Sequence, residues 1–264
     1  MKKFTKFFAV ITMAVCAVAA CDSKEEPTGN GNDNGNGNNN GIIDDSGTNN
    51  TGLPASLQGS DYIVFFLGED EYSVIEKKVS VNLMPNNANV FVDVWPAGQT
   101  YEGGTAAGLN SYGFGEGWLC FSATGYEGWS GGAIACRPSE DGSVALPVAD
   151  LSKIMTNPSE WYFHVALKSD VPGQSHVVGL NWAGAEFQMI LGANPGDYTG
   201  DATYYPTPVS GTYQVGEWNE YEIPLSMTGL KFNSPIAAGN LVSFLSGGTV
   251  GKTLNLDAIF IYKK

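Results

Sequence analysis

The stretch Val90-Phe91-Val92-Asp93-Val94-Trp95 decides the fold class of this 264-residue chain. Alternate side chains of a β-strand face opposite ways, so the three valines share one face and the other three residues share the opposite face. The valine face suits a hydrophobic core. A carboxylate between two aromatic rings on the opposite face is typical of a surface that binds a flat, hydroxyl-rich ligand.

The rest of the chain carries the same strand signal in ten further short runs, separated by Gly, Pro, Asn and Asp clusters. The runs are 62–67, 79–84, 118–123, 133–136, 161–168, 177–182, 187–191, 220–225, 241–245 and 254–262. Residues 96–117 are expected to form a Gly- and Tyr-rich loop, and 148–155 a short helix. Many short strands without long amphipathic helices predict an all-β fold, an antiparallel β-sandwich of jelly-roll type.

The first 20 residues are predicted to be a signal peptide. Three lysines, at positions 2, 3 and 6, precede an apolar run over 7–18 that is too short for a stable membrane span. The run ends in Val18-Ala19-Ala20-Cys21, which resembles the lipobox of bacterial lipoproteins. That resemblance implies cleavage before Cys21 and lipidation of Cys21; ordinary signal cleavage near the alanines is the alternative.

Residues 21–60 are expected to form a lipid-anchored flexible linker. Residues 29–41 are almost entirely Gly and Asn, so they have no apolar surface to offset the entropy lost on ordering. The acidic stretch over 22–26 resembles the surface-export signals of Bacteroidetes lipoproteins, which implies an outer-membrane protein facing the cell exterior. The remaining residues, 61–264, suit a single domain.

The charge of the chain limits its partners. The formal net charge is −14, and removal of residues 1–20 takes away three lysines and no acids, which gives −14 − 3 = −17. Such a charge argues against nucleic acid and anionic membranes as partners, and it does not oppose a neutral sugar.

No catalytic or metal motif stands out. Four acids lie near the face of Phe91, Asp93 and Trp95 in the sequence: Asp93, Glu102, Glu116 and Glu127. Nothing in their spacing marks the carboxylate pair of a glycosidase. No Gly-x-Ser-x-Gly elbow and no Cys/His spacing of a zinc site is present. No catalytic residue, metal or cofactor is therefore expected.

Two cysteines fall on neighbouring predicted strands of the domain, Cys120 and Cys136. They can form a disulfide outside the cytoplasm or remain two buried thiols, and their spacing does not decide between the two.

The aromatic residues are the strongest functional signal, because the domain holds all six Trp and all twelve Tyr. Tyr101 and Trp129 are expected in glycine-rich loops, where burial is hard and binding is common. Strand alternation over 161–168 puts His164 and Lys168 on the face away from the apolar side chains. The predicted ligand-binding set is Asp93, Trp95, Tyr101, Trp129, His164 and Lys168.

Several segments together give a family resemblance. They are the turn Gly128-Trp129-Ser130-Gly131, the strand over 164–169, the segment 217–225 with its Trp-x-x-Tyr-x-Ile-Pro-Leu pattern, and the closing strand over 254–262. The body resembles the carbohydrate-binding-module type of β-sandwich in Bacteroidetes surface glycan-binding lipoproteins. The resemblance implies a glycan partner, with a glycan transporter of the outer membrane as a further partner. Some such modules hold a structural calcium through a closing-strand carboxylate, which would be Asp257 here, although no acidic partner for it is evident.

Three functional hypotheses follow. The first is non-catalytic binding of polysaccharide or oligosaccharide at the cell surface by aromatic stacking and polar contacts. The second is a small lipid-anchored glycoside hydrolase or lyase, which would need a catalytic cluster in one groove. The third is an adhesin or structural surface protein that uses its aromatic residues only for packing.

Overall fold

The computed structural model describes residues 52–86, 89–95, 101–123, 129–170, 172–173, 175–192, 204–247 and 253–264, with the backbone alone at 101–105, 123, 129–130 and 246–247. Twelve strands are present in these residues: β1 Asp61–Phe66, β2 Val79–Asn82, β3 Val90–Val94, β4 Tyr101–Ala106, β5 Trp118–Ala123, β6 Trp129–Cys136, β7 Trp161–Lys168, β8 Ser175–Trp182, β9 Ala185–Gly192, β10 Asn219–Pro224, β11 Gly239–Gly247 and β12 Thr253–Lys263. The helices α1 (Glu69–Ile75) and α2 (Ser152–Thr156) are short. Four 3₁₀ turns cover Ala55–Leu57, Glu76–Lys78, Pro158–Glu160 and Leu225–Met227.

The strands form two sheets. Sheet A has seven strands, in the order β10-β7-β12-β1-β2, with β5 also paired to β12 and β4 paired to β5. The first half of β12 pairs with β5 and its second half with β1, while β7 pairs along the other side. Sheet B has five strands in the order β3-β6-β11-β8-β9.

The core lies between the two sheets, where the apolar faces of their strands meet. Phe121 of sheet A and Phe244 of sheet B are both fully buried, and their ring centroids are 4.3 Å apart. Trp161 and Trp182 also belong to this core, each with at most 3% of its surface exposed. A β-sandwich is therefore the architecture of the chain, as its strand pattern predicts.

A second apolar cluster covers the outer face of sheet A. It includes Tyr62, Phe260 and Tyr262 from the strands, with Ile75 of α1 and Leu57 of the first 3₁₀ turn, all fully buried. The packed part of the chain thus extends to the N-terminal side of residue 61.

Three local predictions are wrong. Residues 101–106 form β4 although the whole stretch 96–117 was expected to be a loop, because pairing with β5 outweighs the low strand propensity of glycine. Helix α1 was not predicted, and α2 covers only part of 148–155. β1 and β2 pair in parallel, in an otherwise antiparallel arrangement of described strands.

Cys136 is a free thiol that is fully buried, and its Sγ lies 3.3 Å from the carbonyl oxygen of Ala237. Because Cys136 is free, it forms no disulfide with Cys120, which lies on β5 of the other sheet. Among the described residues, no helix has the length and apolar character needed to cross a bilayer.

Candidate functional site

The outer face of sheet B carries the first candidate site. The β3 valines face inward, with Val90 buried and the other two packed against the core. Phe91, Asp93 and Trp95 therefore lie on the outer face, where each is half-buried. Trp95 follows β3 and continues its alternation, because its backbone N–H donates to Gly131 O at 3.1 Å.

Trp95 lies directly on the backbone of β6. A Cβ at Gly131 would come within 2.8 Å of two carbon atoms of the Trp95 ring and within 2.7 Å of Leu245 Cδ2. Real Cβ contacts are essentially never that short, so only glycine allows the ring to pack so closely. Small residues, Ala133 and Ala135, follow Gly131 on the same face of β6. These residues are themselves buried, so the larger neighbouring side chains, Trp95 among them, form the accessible surface of the face.

Polar side chains occupy the opposite side of the same face. Ser243 Oγ of β11 donates to Glu186 Oε1 of β9 at 2.7 Å, and Gln188 Nε2 donates to Glu186 Oε2 at 2.9 Å. Asn181 Nδ2 of β8 reaches Ser243 Oγ at 3.3 Å. A Cβ at Gly179 would collide with both Ser243 and Glu186, so this hydrogen-bonded row lies against the β8 backbone. The contacts hold these polar groups in fixed positions.

Asp93 does not carry an isolated negative charge. Arg137 donates to its Oδ2 and also lies over the ring of Phe91, with the guanidinium carbon 4.9 Å from the ring centroid. The pair is partly exposed, with 56% and 25% of the Arg137 and Asp93 side chains accessible. Asp93 can therefore accept a hydrogen bond from a ligand, but its charge is balanced.

The structure does not bring His164 into this site. His164 lies in β7 of sheet A and is fully buried, with Nδ1 2.7 Å from Ala258 O and Nε2 3.2 Å from Glu220 Oε2. Its ring stacks on Phe260 at 4.6 Å. Alternation correctly placed His164 away from the core, but that face is covered by the second cluster. The expected single site around Trp95 and His164 is wrong, because the two residues belong to different sheets.

Lys168 also lies on the outer face of sheet A, where it is half-buried. Its Nζ is 5.7 Å from the centroid of the Trp118 ring. It is therefore separated from Asp93 and Trp95 by the thickness of the sandwich.

Two predicted ligand residues, Tyr101 and Trp129, begin strands β4 and β6 instead of lying in loops. Their side chains are outside the described part of the chain, so their roles stay predictions. The predicted signal peptide, the lipidation of Cys21 and most of the predicted linker also lie outside the described residues.

Three carboxyl groups lie close together where α1 meets β12. Glu71 and Asp257 are at most 1% exposed, and Glu116 Oε1 accepts a hydrogen bond from the backbone of α1. Asn110 Nδ2 donates to Glu71 Oε1, while the N–H and Oγ of Ser111 donate to Asp257 Oδ2 at 2.9 and 2.7 Å. The second oxygen of each carboxyl group is buried without a hydrogen-bond partner among the described residues.

Burial, followed by the neighbouring Glu116 carboxyl, raises the pKa of Glu71 from 4.5 to about 8. Burial likewise raises the pKa of Asp257. Oxygen ligands of this kind are the type that Ca²⁺ prefers. However, the described residues contain no group of three or more His, Cys, Asp or Glu side chains arranged to hold a metal ion. The calcium site that the family resemblance implies is therefore not supported. A proton shared between the carboxyl groups is the simpler way to reduce their negative charge.

Sequence reasoning did not identify Trp118 or the polar row, which consists of Asn181, Glu186, Gln188 and Ser243. Alternation along β8 identifies Asn181 as an outward residue, but the register of β8 against β9 and β11 is needed to join it to Glu186 and Ser243. Local periodicity does not contain that register.

Comparison by sequence finds no matching protein family and no matching curated protein. Solved structures show partial likeness. An exo-β-agarase is 13% identical with a TM-score of 0.39, over 77% of this chain and 25% of its own, so this chain spans about a quarter of its length. The family 30 carbohydrate-binding module of a cellulosomal cellulase from Clostridium thermocellum is 16% identical with a TM-score of 0.39, over 65% of this chain and 87% of that one.

A third structure, SGBP-B from a xyloglucan utilization locus in Bacteroides uniformis, is 14% identical with a TM-score of 0.37, over 76% of this chain and 49% of that one. At such values these likenesses do not establish a shared ligand.

Proposed function

We propose that this domain binds a neutral polysaccharide without cleaving it, and that the outer face of sheet B is the binding surface. Trp95 carries the proposal. Its half-buried ring packs against Gly131 on the outer face of the sheet. A pyranose presents a flat patch of C–H bonds, which stacks well on such an indole face.

The polar row supplies the second half of the recognition. Glu186, Gln188 and Asn181 offer acceptors and donors for sugar hydroxyls, and their mutual hydrogen bonds fix them before a ligand arrives. Groups held in place lose little conformational entropy on binding. β3 and β9 lie four strand spacings apart, or about 19 Å, and both side chains reach inward from these edges. The Trp95 ring packs on Gly131 of β6 and the Glu186 carboxylate reaches Ser243 of β11, so one short sugar segment can contact both.

The existing partners of the two carboxylates argue against hydrolysis on this face, because a glycosidase needs one carboxyl group free as acid and one as base or nucleophile. Asp93 and Glu186 are the carboxylates of the outward positions described here, and they stand on the two edge strands of sheet B. One is paired with Arg137 and the other accepts two hydrogen bonds. Neither is placed as an acid or nucleophile.

The proposal is tested with Trp95→Ala on an array of neutral polysaccharides: xyloglucan, glucomannan, β-1,4-galactan, laminarin and starch. One stacked ring contributes about 0.5 to 1.5 kcal/mol, so affinity should fall about twofold to thirteenfold. Melting temperature should change little, because the ring lies outside the core. Trp161→Ala is the matched control and should cost about 3 to 5 kcal/mol of stability.

A second variant, Gly131→Ala, tests the packing of the Trp95 ring against Gly131 without removing any ligand contact. The added methyl group must displace Trp95 or Leu245, so binding should weaken although the indole remains. Unchanged affinity in both variants, or release of reducing sugar from a bound polysaccharide, would refute the proposal.

We further propose that the domain is tethered by lipid at Cys21 to the outer face of an outer membrane, where it delivers glycan to a transporter. The basis is the Val18-Ala19-Ala20-Cys21 junction and the acidic residues that follow it. Cys21→Ala should move the protein from the membrane fraction to the soluble fraction. Retention in the membrane after a carbonate wash would contradict the anchor.

A further inference from the structure

A second tryptophan, Trp118, lies on the opposite side of the sandwich. Trp118 begins β5, and the next residue, Leu119, points into the core, so the indole faces outward. It is half-buried, and among the described residues it packs against neither the core nor the second cluster. Its ring meets Trp218 edge to face, with centroids 5.5 Å apart and planes at 82°.

The Trp118 ring is held in one orientation. Its Nε1 donates to Asn255 Oδ1 at 2.7 Å, and Asn255 is only 5% exposed. The backbone at Gly108 lies against the ring, since a Cβ there would be 3.1 Å from Cη2. Gly108 has φ +141°, a conformation that favours glycine. A large aromatic ring fixed in this way, but excluded from the core, has the character of a binding platform.

Lys168 places a charged donor over the face of the Trp118 ring. Its Nζ lies 5.7 Å from the Trp118 centroid, and within the described residues it has no carboxylate partner. Lys153, Lys263 and Lys264 do have such partners. The ammonium group of Lys168 is therefore available to donate hydrogen bonds to a ligand above the ring.

We propose that Trp118, Trp218 and Lys168 form a second glycan site that takes a neutral pyranose. The indole would stack on the sugar ring, and the ammonium group would donate to a hydroxyl. The choice of glycan as ligand rests on the proposed function, whereas the site itself is separate. Two exposed acids are close to these residues in the chain: Asp170 follows Lys168, and Glu217 precedes Trp218. Their negative charge disfavours an anionic sugar.

Two sites on opposite faces have a functional consequence. A single extended glycan segment cannot lie on both faces of a sandwich at once. The domain would bind two segments, either of one flexible polysaccharide or of two chains. Such bivalent binding raises avidity without any new contact, and it links separate chains.

The experiment uses the full chain in detergent on the same five neutral polysaccharides, with polygalacturonate as an acidic arm. Trp118→Ala should weaken binding to a neutral polysaccharide about twofold to thirteenfold. Lys168→Met should also weaken it, whereas Lys231→Met, at an exposed lysine without a contact to a ligand face, should not. All variants should melt within a few degrees of the parent, which separates a binding role from a structural one.

A second readout is the linking of polysaccharide chains, measured as an increase in particle size by light scattering. The parent should link the chains of a bound polysaccharide, whereas Trp95→Ala and Trp118→Ala should each need a higher protein concentration to link them. If Trp118→Ala binds and links as the parent does, the second site is refuted, while loss of binding in Trp95→Ala still supports the first. Tighter binding to polygalacturonate would overturn the neutral ligand. If the parent protein binds none of these glycans, both proposals are refuted.

Discussion

The buried Glu71 carboxyl group should make the domain lose stability as the pH rises. Its pKa is about 8 in the folded protein and about 4.5 when exposed. Between these values the folded state keeps a proton that the unfolded state releases. The stabilising contribution is therefore complete below pH 4.5 and is lost as the pH rises through 8.

The size of this effect follows from the shift. The difference of 8 − 4.5 = 3.5 pKa units, at about 1.4 kcal/mol per unit, sets an upper limit of about 5 kcal/mol, because the neighbouring Glu116 carboxyl shares the shift. Glu71→Gln should remove most of this dependence, because the amide keeps an acceptor for Asn110 and offers a donor to the unpaired Glu116 Oε2.

The assay is urea unfolding at pH 5.0 and pH 8.5 in EDTA, for the parent, Glu71→Gln and the exposed control Glu140→Gln. The difference between the two pH values should shrink by several kcal/mol in Glu71→Gln alone. Equal differences in all three proteins would refute the proton account. Removal of the parent's loss at pH 8.5 by millimolar Ca²⁺ would show that a cation, rather than a proton, neutralises the cluster.

Further tests concern packing and backbone conformation. Ala183 has φ +51° in the β8–β9 turn, so Ala183→Gly should raise the free energy of unfolding by up to about 1 kcal/mol. Ala185→Gly at the start of β9 should lower the free energy of unfolding by a similar amount. If denaturant titrations show changes of the same sign for both variants, Ala183 is not strained. Leu57→Ala should cost about 2 to 5 kcal/mol in the same titrations, because Leu57 is fully buried; no loss would show that the first 3₁₀ turn is dispensable. Burial raises the pKa of the Cys136 thiol, so it should react with a thiol reagent only after unfolding, and rapid labelling of native protein at Cys136 would contradict its burial.

Strand alternation predicted much of the fold and one part of the site. It identified eleven of the twelve described strands, and it placed Asp93 and Trp95 opposite the valine face. These features depend on neighbouring residues within one strand, so local sequence contains them. β4 was not predicted, because its Gly-rich sequence becomes a strand only through its pairing with β5.

The rest of the site depends on contacts between distant segments. Alternation gave the correct outward direction for His164 and Lys168, but it could not tell which sheet β7 joins or what covers that sheet. His164 is therefore buried under Tyr112, whose ring stacks 6.2 Å away, and Lys168 lies beside Trp118. Both outcomes follow from tertiary packing, which a single strand's periodicity does not record.

The position of β12 in sheet A has a consequence for biogenesis. β12 separates β7 from β1 and β5, yet it is the latest of the described strands to be synthesised. Sheet A cannot close until residues 253–263 have been made and have reached β1, where Lys263 of β12 pairs with Asp61. The closure entropy of so long a loop makes this step slow. Sheet A is therefore expected to be completed only once residues 253–263 are free to pair, whereas every strand of sheet B precedes them in the chain.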